Sequence, residues 1–399
     1  MKFSSLPKDI ASLWNSKKIW RKPSKAEVLI FDRSGSEVFM EYLDHKSVEI
    51  FDTSGESLNL YVLFKRLLHW KLSSRSYIFQ YLACVKPRIA ITFIDNSLGY
   101  YQLKSYQHDL TTVFVQNGIR GELTDVFGFS KKQMHSRNNY QVDHMLTFGN
   151  AIGRKYSEYI DGKVHPIGSF KNNLYHSKTH KSSKSLLFIS QYKLPPCPES
   201  RPYLINDNRN IFWKQFYSAE EFLLPLLQQY CLQNKLELKI CMIREDPASE
   251  KGEHNYFRTL LGNETLEVQK KSNLYTGYEE VVAAGFVVFV DSTLGYEALA
   301  RGKKTAAFTL RGKLLGLSDR NFGWPADLPD NGPFWTNHAD EREIRRVLDY
   351  ITTVSDEEWE QTRQCYVPEL MEYDPGNTRF IKLMREIGVP LKLEQGKDV

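Results

Sequence analysis

The segment DSTLG, residues 291–295, follows a continuous apolar run and precedes a helical pattern. A strand that turns directly into a helix leaves backbone N–H groups unpaired at the helix start, where the helix dipole favours a phosphate. Ser292 and Thr293 could cap this helix and add hydroxyl donors, and Gly295 would let a ligand approach the backbone. Glu297 would point toward the same place and accept hydrogen bonds from ribose hydroxyls. A plain N-cap followed by a glutamate that favours the dipole is the alternative interpretation.

Polar residues also follow two other apolar runs in the second half of the chain. Arg244 comes just past the run 236–242 and could bind a phosphate bidentately, although an ordinary surface ion pair is an equal alternative. Ser190 and Gln191 lie at the exit of the run 185–192, where they could contact a base or a phosphate; hydrogen bonding within the loop is the alternative. Together with the DSTLG segment, these residues predict a nucleotide-sugar site.

The first half of the chain supplies a candidate base and a candidate acceptor site. Asp95 ends the apolar run 87–95 and, if it faces a groove, could act as a general base or a nucleophile; capping the next helix is the alternative. The exit of the next run, 110–118, carries four polar residues that could bind an acceptor: Gln116, Asn117, Arg120 and Glu122. A plain turn at Asn117-Gly118 is an equally compatible interpretation of this segment.

Apolar runs alternate with helical patterns along both halves, which predicts two parallel sheets with helical crossovers. The predicted strands of the first half cover residues 26–32, 47–52, 87–95, 110–118 and 144–150. Those of the second half cover residues 185–192, 236–242, 286–290 and 304–310, with a short strand near Leu266. Helices are predicted over residues 56–70, 219–233, 254–261, 278–284 and 295–301, and in the charged tail from Asp340 onward.

These patterns predict an α/β fold of two Rossmann-like domains that face a central cleft. The polar stretch 164–185 marks the boundary. We expect an N-terminal acceptor-side domain, a C-terminal domain that binds the nucleotide sugar, and C-terminal helices that pack across both, at residues 1–170, 171–340 and 341–399. Ligands of such sheets bind at the carboxyl ends of the strands, so the groove between the domains is the expected site.

Composition excludes several classes of protein. The 399 residues carry a net charge of +5, which suits an anionic ligand or a membrane surface but is too small to indicate nucleic acid. The five cysteines are widely spaced and show no CxxC pair, so we expect reduced cysteines, a cytoplasmic location and no metal site. No nucleotide-binding glycine signature, nucleophile elbow or zinc-protease motif occurs.

The N-terminal stretch is basic and carries Trp14 and Trp20. It could lie on an anionic membrane face. A solvated arm that packs both tryptophans on the body is the alternative, and we expect this second arrangement.

Several segments resemble a known family: FIDNSLGYYQL, VFVQNGIRG, VHPIGSFKNN, FISQY and DSTLGYEALARGKK. Their succession resembles the bacterial transferases of surface-polysaccharide biosynthesis, which make O-antigen and capsule and are GT-B glycosyltransferases or close relatives. The resemblance covers about residues 26–385. Its most specific part, STLGYEALARGK, is similar to a segment of capsule transferases that use CMP-linked Kdo and of transferases for sialic-acid-like sugars.

The resemblance implies a GT-B fold with the donor nucleotide in the second half and no bound metal or other cofactor. Ser292, Thr293 and Gly295 match the phosphate-binding positions of the family segment, and Glu297 matches its acid. The Kdo transferases carry His-Pro where this chain has Ile243-Arg244, so Arg244 is expected to take over a phosphate contact. An acidic residue of some members is replaced here by Asn117. The candidate catalytic acids are therefore Asp95 and Glu122.

The predicted function is a glycosyltransferase that moves a sugar from a nucleotide donor to a bacterial surface glycan or glycolipid. A CMP-linked ulosonic acid, such as Kdo or a sialic-acid-like sugar, is the favoured donor. The location is expected to be cytoplasmic, with possible peripheral contact with the inner membrane. A nucleotide-sugar epimerase of the same fold and a non-catalytic partner in polysaccharide assembly are the alternatives.

Overall fold

The structure is a computed structural model that describes residues 16–52, 56–68, 73–122, 125–128, 140–176, 183–206, 209–242, 247–262, 268–269, 273 and 275–392. Within these ranges, no helix combines the length and the hydrophobicity that crossing a lipid bilayer requires.

The first half of the chain forms a six-stranded sheet in which every neighbouring pair runs parallel. The strand order is β3-β2-β5-β6-β7-β8, with β2 Val28–Phe31, β3 Val48–Phe51, β5 Ile89–Thr92, β6 Thr111–Val115, β7 Gln141–Thr147 and β8 Asp161–Pro166. All residues of β2 and β5 are buried, as expected for strands covered on both faces. A separate parallel pair joins β1 Lys17–Ile19 to β4 Ser57–Asn59.

Helices cover the first sheet: α1 Ser36–Met40, α2 Leu60–Leu67, α3 Ser74–Val85 and α4 Asn150–Ser157. The prediction of one helix over residues 56–70 is wrong at its start, because β4 occupies the first positions. Asn59 ends that strand and caps α2, since its side chain accepts from the N–H of Val62 at 3.0 Å.

A seven-stranded sheet forms the second half, in the order β13-β12-β9-β14-β15-β17-β16. Its strands are β9 Ser185–Ile189, β12 Glu237–Cys241, β13 Val268–Gln269, β14 Phe286–Phe289, β15 Thr305–Phe308, β16 Asn331–Gly332 and β17 Trp335–Thr336. The pair β16 and β17 is antiparallel and the other pairs are parallel. An antiparallel ribbon joins β10 Leu204–Asn206 to β11 Arg209–Ile211.

The helices that follow are α5 Phe170–Leu174 between the sheets, and α6 Trp213–Asn234, α7 Pro247–Leu261, α8 Thr276–Ala283, α9 Thr293–Ala300 and α10 Arg311–Leu315 in the second half. The tail forms α11 Glu341–Thr353, α12 Asp356–Gln364, α13 Val367–Leu370 and α14 Thr378–Glu386. Phe380 and Met384 of α14 return to the first half and pack in one buried cluster with Val28 and Ile30 of β2. The three-part domain division stays a prediction.

The two sheets meet through the carboxyl ends of their strands. The N–H of Ile119, in the loop after β6, donates to the hydroxyl of Thr293 at 3.1 Å. The N–H of Glu122 in the same loop donates to the carboxylate of Asp319 at 2.8 Å. The expected position of a site, at the carboxyl ends of both sheets, is therefore where the two halves touch.

Candidate functional site

The start of α9 is the predicted phosphate site, and its available donors are backbone N–H groups. Ser292 is the N-cap residue of this helix, but its side chain makes no capping hydrogen bond. The N–H groups of Gly295 and Tyr296 both donate to the carbonyl of Ser292. Among the residues that the structure describes, none accepts a hydrogen bond from the N–H of Thr293 or Leu294. Two donors and the positive end of the helix dipole thus remain at this point, which suits a phosphate.

Gly295 has a different role from the predicted one. A Cβ at this position would lie 2.1 Å from Cγ of Phe289, so the glycine is needed for close packing of α9 on β14. Thr293 likewise does not cap the helix, because its hydroxyl accepts from the N–H of Ile119 in the opposite half. The sequence predicts that these two residues surround a ligand. In the structure, Gly295 allows α9 to pack on β14, and Thr293 contacts the opposite half.

Glu297 does not point toward the helix start as predicted. Its side chain is buried and accepts hydrogen bonds from the hydroxyls of Ser169 and, at 3.0 Å, Tyr278. Burial raises the pKa of Glu297, although these two hydrogen bonds oppose the shift. The carboxylate therefore accepts from two hydroxyl groups, as predicted for a ribose, but both hydroxyls belong to the protein. One of them, that of Ser169, lies in the connection between the two sheets.

A buried cluster beside the helix start escaped the sequence prediction. This Asp291 centre consists of Asp291, Arg311, Arg320 and Glu220. Asp291 accepts from Arg311 and, at 2.7 Å, from Arg320, while Arg311 also donates to Glu220. Burial opposes ionisation of Asp291, but the charges of the two arginines outweigh it and lower its pKa. Asp291 directly precedes Ser292, the N-cap of α9, so the centre adjoins the start of that helix, and the side chain of Arg320 stays 32% exposed.

Ser190 and Gln191 support the Asp291 centre rather than facing open space. Ser190 is fully buried and donates to the carboxylate of Glu253. The amide of Gln191 donates to the carbonyl of Asp291 at 3.0 Å, and its oxygen accepts from Arg311 at 2.8 Å. The hydroxyl of Ser190 is thus enclosed by the protein, and its predicted contact with a ligand stays a prediction. Arg244, the predicted phosphate ligand, lies outside the described residues.

Asp95 is enclosed, which corrects the expectation that it faces the groove. Its side chain is fully buried and accepts from Arg120 at 2.8 Å, from the N–H of Asn117 at 3.3 Å and from the hydroxyl of Tyr156. We call these four residues the Asp95 centre. Burial opposes the positive charge of Arg120, and the charge of Asp95 outweighs this and raises the pKa of that guanidinium. Burial, with the same carboxylate, raises the pKa of Tyr156.

The other predicted acceptor residues shape the loop after β6. Gln116 is buried, donates to the carbonyl of Gly118 at 3.0 Å and accepts from the N–H of Phe148 at 2.9 Å. The side-chain oxygen of Asn117 accepts from Arg120. Glu122 is half-buried at the end of the loop, and its N–H is held by Asp319. The structure thus brings the predicted residues of the two halves together, and their roles toward an acceptor stay predictions.

A small cavity lies between the halves beside this loop. It has a volume of about 20 Å³, and residues of both halves line it, among them Arg120, Gln116, Tyr296 and Trp324. Binding pockets for small ligands typically span about 300–1,000 Å³, so this cavity is far too small for a ligand and has room for little more than a water molecule. A nucleotide at the start of α9 would have to displace the contact between Ile119 and Thr293. The described arrangement is therefore a closed one.

Residues 113–388, more than half of the chain, match the model of a family described as a putative O-antigen biosynthesis protein. A search of curated proteins gives no match. The likeness to capsule transferases that use CMP-linked Kdo stays a prediction.

Solved structures share the fold at very low sequence identity. A putative UDP-N-acetylglucosamine 2-epimerase from Listeria monocytogenes aligns with a TM-score of 0.50 and 10% identity, over 92% of this chain and 97% of that one. The MnaA protein of S. aureus with UDP gives 0.48 and 11%, over 92% and 96%. A variant of the wall teichoic acid polymerase TagF gives 0.47 and 10%, over 91% and 89%. At this level the similarity establishes the fold alone, and that fold is of the GT-B type with two Rossmann-like domains, as predicted.

Proposed function

Because this chain belongs to the O-antigen biosynthesis family whose model it matches, we propose that it is a glycosyltransferase of surface-polysaccharide synthesis that uses a nucleotide-sugar donor. One observation carries the proposal. Within the described structure, the N–H groups of Thr293 and Leu294 at the start of α9 have no acceptor, and the partly exposed Arg320 pairs with Asp291, the residue before the N-cap. Such a place suits the phosphate of an activated sugar.

The leaving group of the proposed reaction is the nucleotide phosphate. As the bond to the sugar breaks, negative charge grows on the phosphate oxygen. Once the contact between the halves has opened, the N–H donors of Thr293 and Leu294 and the charge of Arg320 would stabilise that charge. This provides leaving-group stabilisation from the chain's own groups. Ser292, with no capping bond of its own, can add a hydroxyl donor.

The donor that we favour is a CMP-linked ulosonic acid. The support is the likeness of residues 292–303 to the corresponding segment of transferases that use such donors. Glu297 would bind the ribose only if its hydrogen bond from Ser169 were exchanged for one from the nucleotide. We propose this exchange as part of opening the contact between the halves.

The acceptor would lie against the loop after β6 in the first half. Of the two candidate acids, Asp95 is enclosed by three donors, whereas Glu122 is half-buried at the end of the loop. We therefore assign Glu122 the role of general base, which would remove a proton from the acceptor hydroxyl. Asp95 becomes a positioning residue that holds Arg120. The acceptor is a bacterial surface glycan or glycolipid, and the location that fits it is cytoplasmic.

A thermal-shift panel of CMP, CDP, UDP and GDP tests the donor site. Of the four nucleotides, we expect only CMP to raise the melting temperature, because a ligand that binds only the folded state stabilises it by mass action. A shift with UDP or GDP and none with CMP would reject the favoured donor. No shift with any nucleotide would contradict the proposed function and favour a non-catalytic partner.

Incubation with the donor alone separates transfer from epimerisation. A transferase gives at most slow hydrolysis without an acceptor, whereas an epimerase converts the donor to an isomer. NMR of the recovered nucleotide sugar distinguishes these outcomes. An isomer would overturn the assignment as a transferase while keeping the nucleotide site.

A further inference from the structure

Four large apolar side chains are exposed near one end of the first half. The exposed fractions are 74% for Trp20, 59% for Phe64, 53% for Leu67 and 63% for Leu68. Trp20 therefore contradicts the prediction that the N-terminal tryptophans pack on the body, and Trp14 lies outside the described residues. Single exposed apolar residues are normal on proteins, whereas a contiguous group indicates a binding surface.

These side chains form one continuous strip. In the pairing of β1 with β4, Ile19 lies opposite Asn59, so Trp20 lies beside Leu60, the first residue of α2. The side-chain amide of Asn59 also donates to the carbonyl of Arg21 at 3.0 Å, which fixes this arrangement. Phe64 follows Leu60 by one helical turn, and Leu67 and Leu68 follow Phe64 by another.

The strip is bordered by positive charge. The segment from Lys17 to Lys25 contains five exposed cationic residues and no acid: Lys17, Lys18, Arg21, Lys22 and Lys25. Lys65 and Arg66 add two in the last turn of α2. These seven cationic residues outnumber the net charge of the whole chain, which is only +5, so the region is more basic than the protein as a whole. Glu56 at the start of β4 and Asp52 are the neighbouring acids, and Asp52 accepts from Ser57 at 2.8 Å.

We propose that this face, Lys17–Lys25 with α2, binds the surface of an anionic lipid bilayer. Apolar side chains, including a tryptophan, would enter the headgroup region, and the lysines and arginines would contact anionic headgroups. The combination favours a bilayer over a second copy of the chain, because two copies facing each other would bring their cations together. The inference does not depend on the proposed transfer reaction, although a surface-bound enzyme could reach a glycolipid acceptor.

Flotation of the full chain with vesicles tests the proposal without any nucleotide. We expect binding to vesicles of phosphatidylcholine mixed with phosphatidylglycerol, and little binding to phosphatidylcholine alone. Replacing Lys17, Lys22 and Lys25 by glutamine should weaken binding by about fivefold per charge. The triple variant Trp20→Ser, Phe64→Ser, Leu67→Ser should weaken it by about tenfold or more.

Leu232→Ser is the matched control, because Leu232 is 76% exposed on α6 in the other half. It should bind vesicles like the wild type, and circular dichroism checks that every variant folds. Absence of wild-type binding to the anionic vesicles, or equal binding to neutral ones, would overturn the proposal. So would a dimer in sedimentation that the apolar variant dissociates, since the face would then join two copies. Loss of nucleotide binding in the panel above would leave the vesicle result untouched, so the two proposals fail separately.

Discussion

The Asp95 and Asp291 centres are built alike but leave different charges at the cleft. Each has an aspartate just past the end of a central parallel strand, paired with arginine where the halves meet. In the Asp95 centre the arginine is 11% exposed and also donates to Asn117. In the Asp291 centre Arg311 is buried, and Arg320 is 32% exposed.

The difference assigns separate tasks to the two halves. Arg120 is held by two carboxylates, those of Asp95 and Asp125, and little of it reaches solvent. Arg311 pairs with Glu220 as well as with Asp291. Arg320 also pairs with Asp291 and keeps part of its guanidinium accessible. The first centre fixes the loop after β6, and the second leaves part of the Arg320 guanidinium accessible while it pairs with the residue before the N-cap of α9. A phosphate therefore suits the second half, even though both halves carry arginine at the cleft.

Asp95→Asn should have the largest effect, on stability. Removing a buried carboxylate leaves Arg120 without its main charge partner, and breaking a buried ion pair in this way typically costs about 3–5 kcal/mol. We expect the free energy of unfolding in urea to fall by about 3 kcal/mol. Asp125→Asn is the control, because Asp125 is 3.3 Å from Arg120 at a more exposed position and should cost less than about 1 kcal/mol. An Asp95→Asn variant with wild-type stability and no transfer would make Asp95 a catalytic residue after all.

Arg320→Gln should weaken nucleotide binding while leaving the fold in place. A hydrogen bond to a charged group contributes about 1.5–3 kcal/mol, so we expect an increase in Kd of about tenfold or more. Asp291 keeps Arg311 as a partner, so stability should change little. Arg345→Gln is a matched control: Arg345 is 33% exposed and paired with Glu341 at 2.9 Å, away from the cleft. Calorimetric titration with the nucleotide that the panel selects makes the measurement. If Arg320→Gln and Arg345→Gln weakened nucleotide binding equally, Arg320 would contribute no more than an arginine away from the cleft. The proposed difference between the two centres would then be lost.

Most strands of both sheets could be predicted because buried parallel strands are continuous apolar runs, whereas the more polar β8 and the two-residue strands β16 and β17 escaped prediction. The runs at residues 87–95 and 185–192 contain β5 and β9, and the DSTLG segment does join a strand to a helix. Short elements such as β1, β4 and α5 escaped prediction, because three to five residues carry no recognisable period.

Side-chain partners were harder to predict than strand ends. The sequence places Asp95 at the exit of β5, but Tyr156 is 61 residues further along the chain. The sequence predicts that Glu297 faces a ligand. Its partner is instead Ser169, which lies in the connection between the two sheets, 128 residues away along the chain. Arg320 follows no strand, so no pattern marked it. A local pattern identifies the edge of a sheet where ligands bind, while distant contacts decide which polar groups remain available there.

The smallest expected effect is a difference in acid sensitivity between the halves. In the first half, Nδ1 of His144 on β7 lies 3.1 Å from Nε2 of His165 on β8. Burial, with repulsion from His144 and Lys163, lowers the pKa of His165 to about 4. Since the ordinary value is 6.5, the unfolded chain takes up the proton first as the pH falls. This contribution to stability is present above pH 6.5 and is lost as the pH falls through about 4.

The second half should not respond in the same way over this range. The pKa of Asp291 is lowered, so its ion pairs persist until the pH falls below the ordinary value of 3.8. Hydrogen exchange at about pH 5 and about pH 7 should therefore show faster opening of β7 and β8 at the lower pH, relative to β14. Because both histidines are partly exposed to solvent, we expect a loss of only about 1 kcal/mol. His165→Gln should abolish the difference, and a wild-type pH dependence in that variant would show that the acid response comes from other groups.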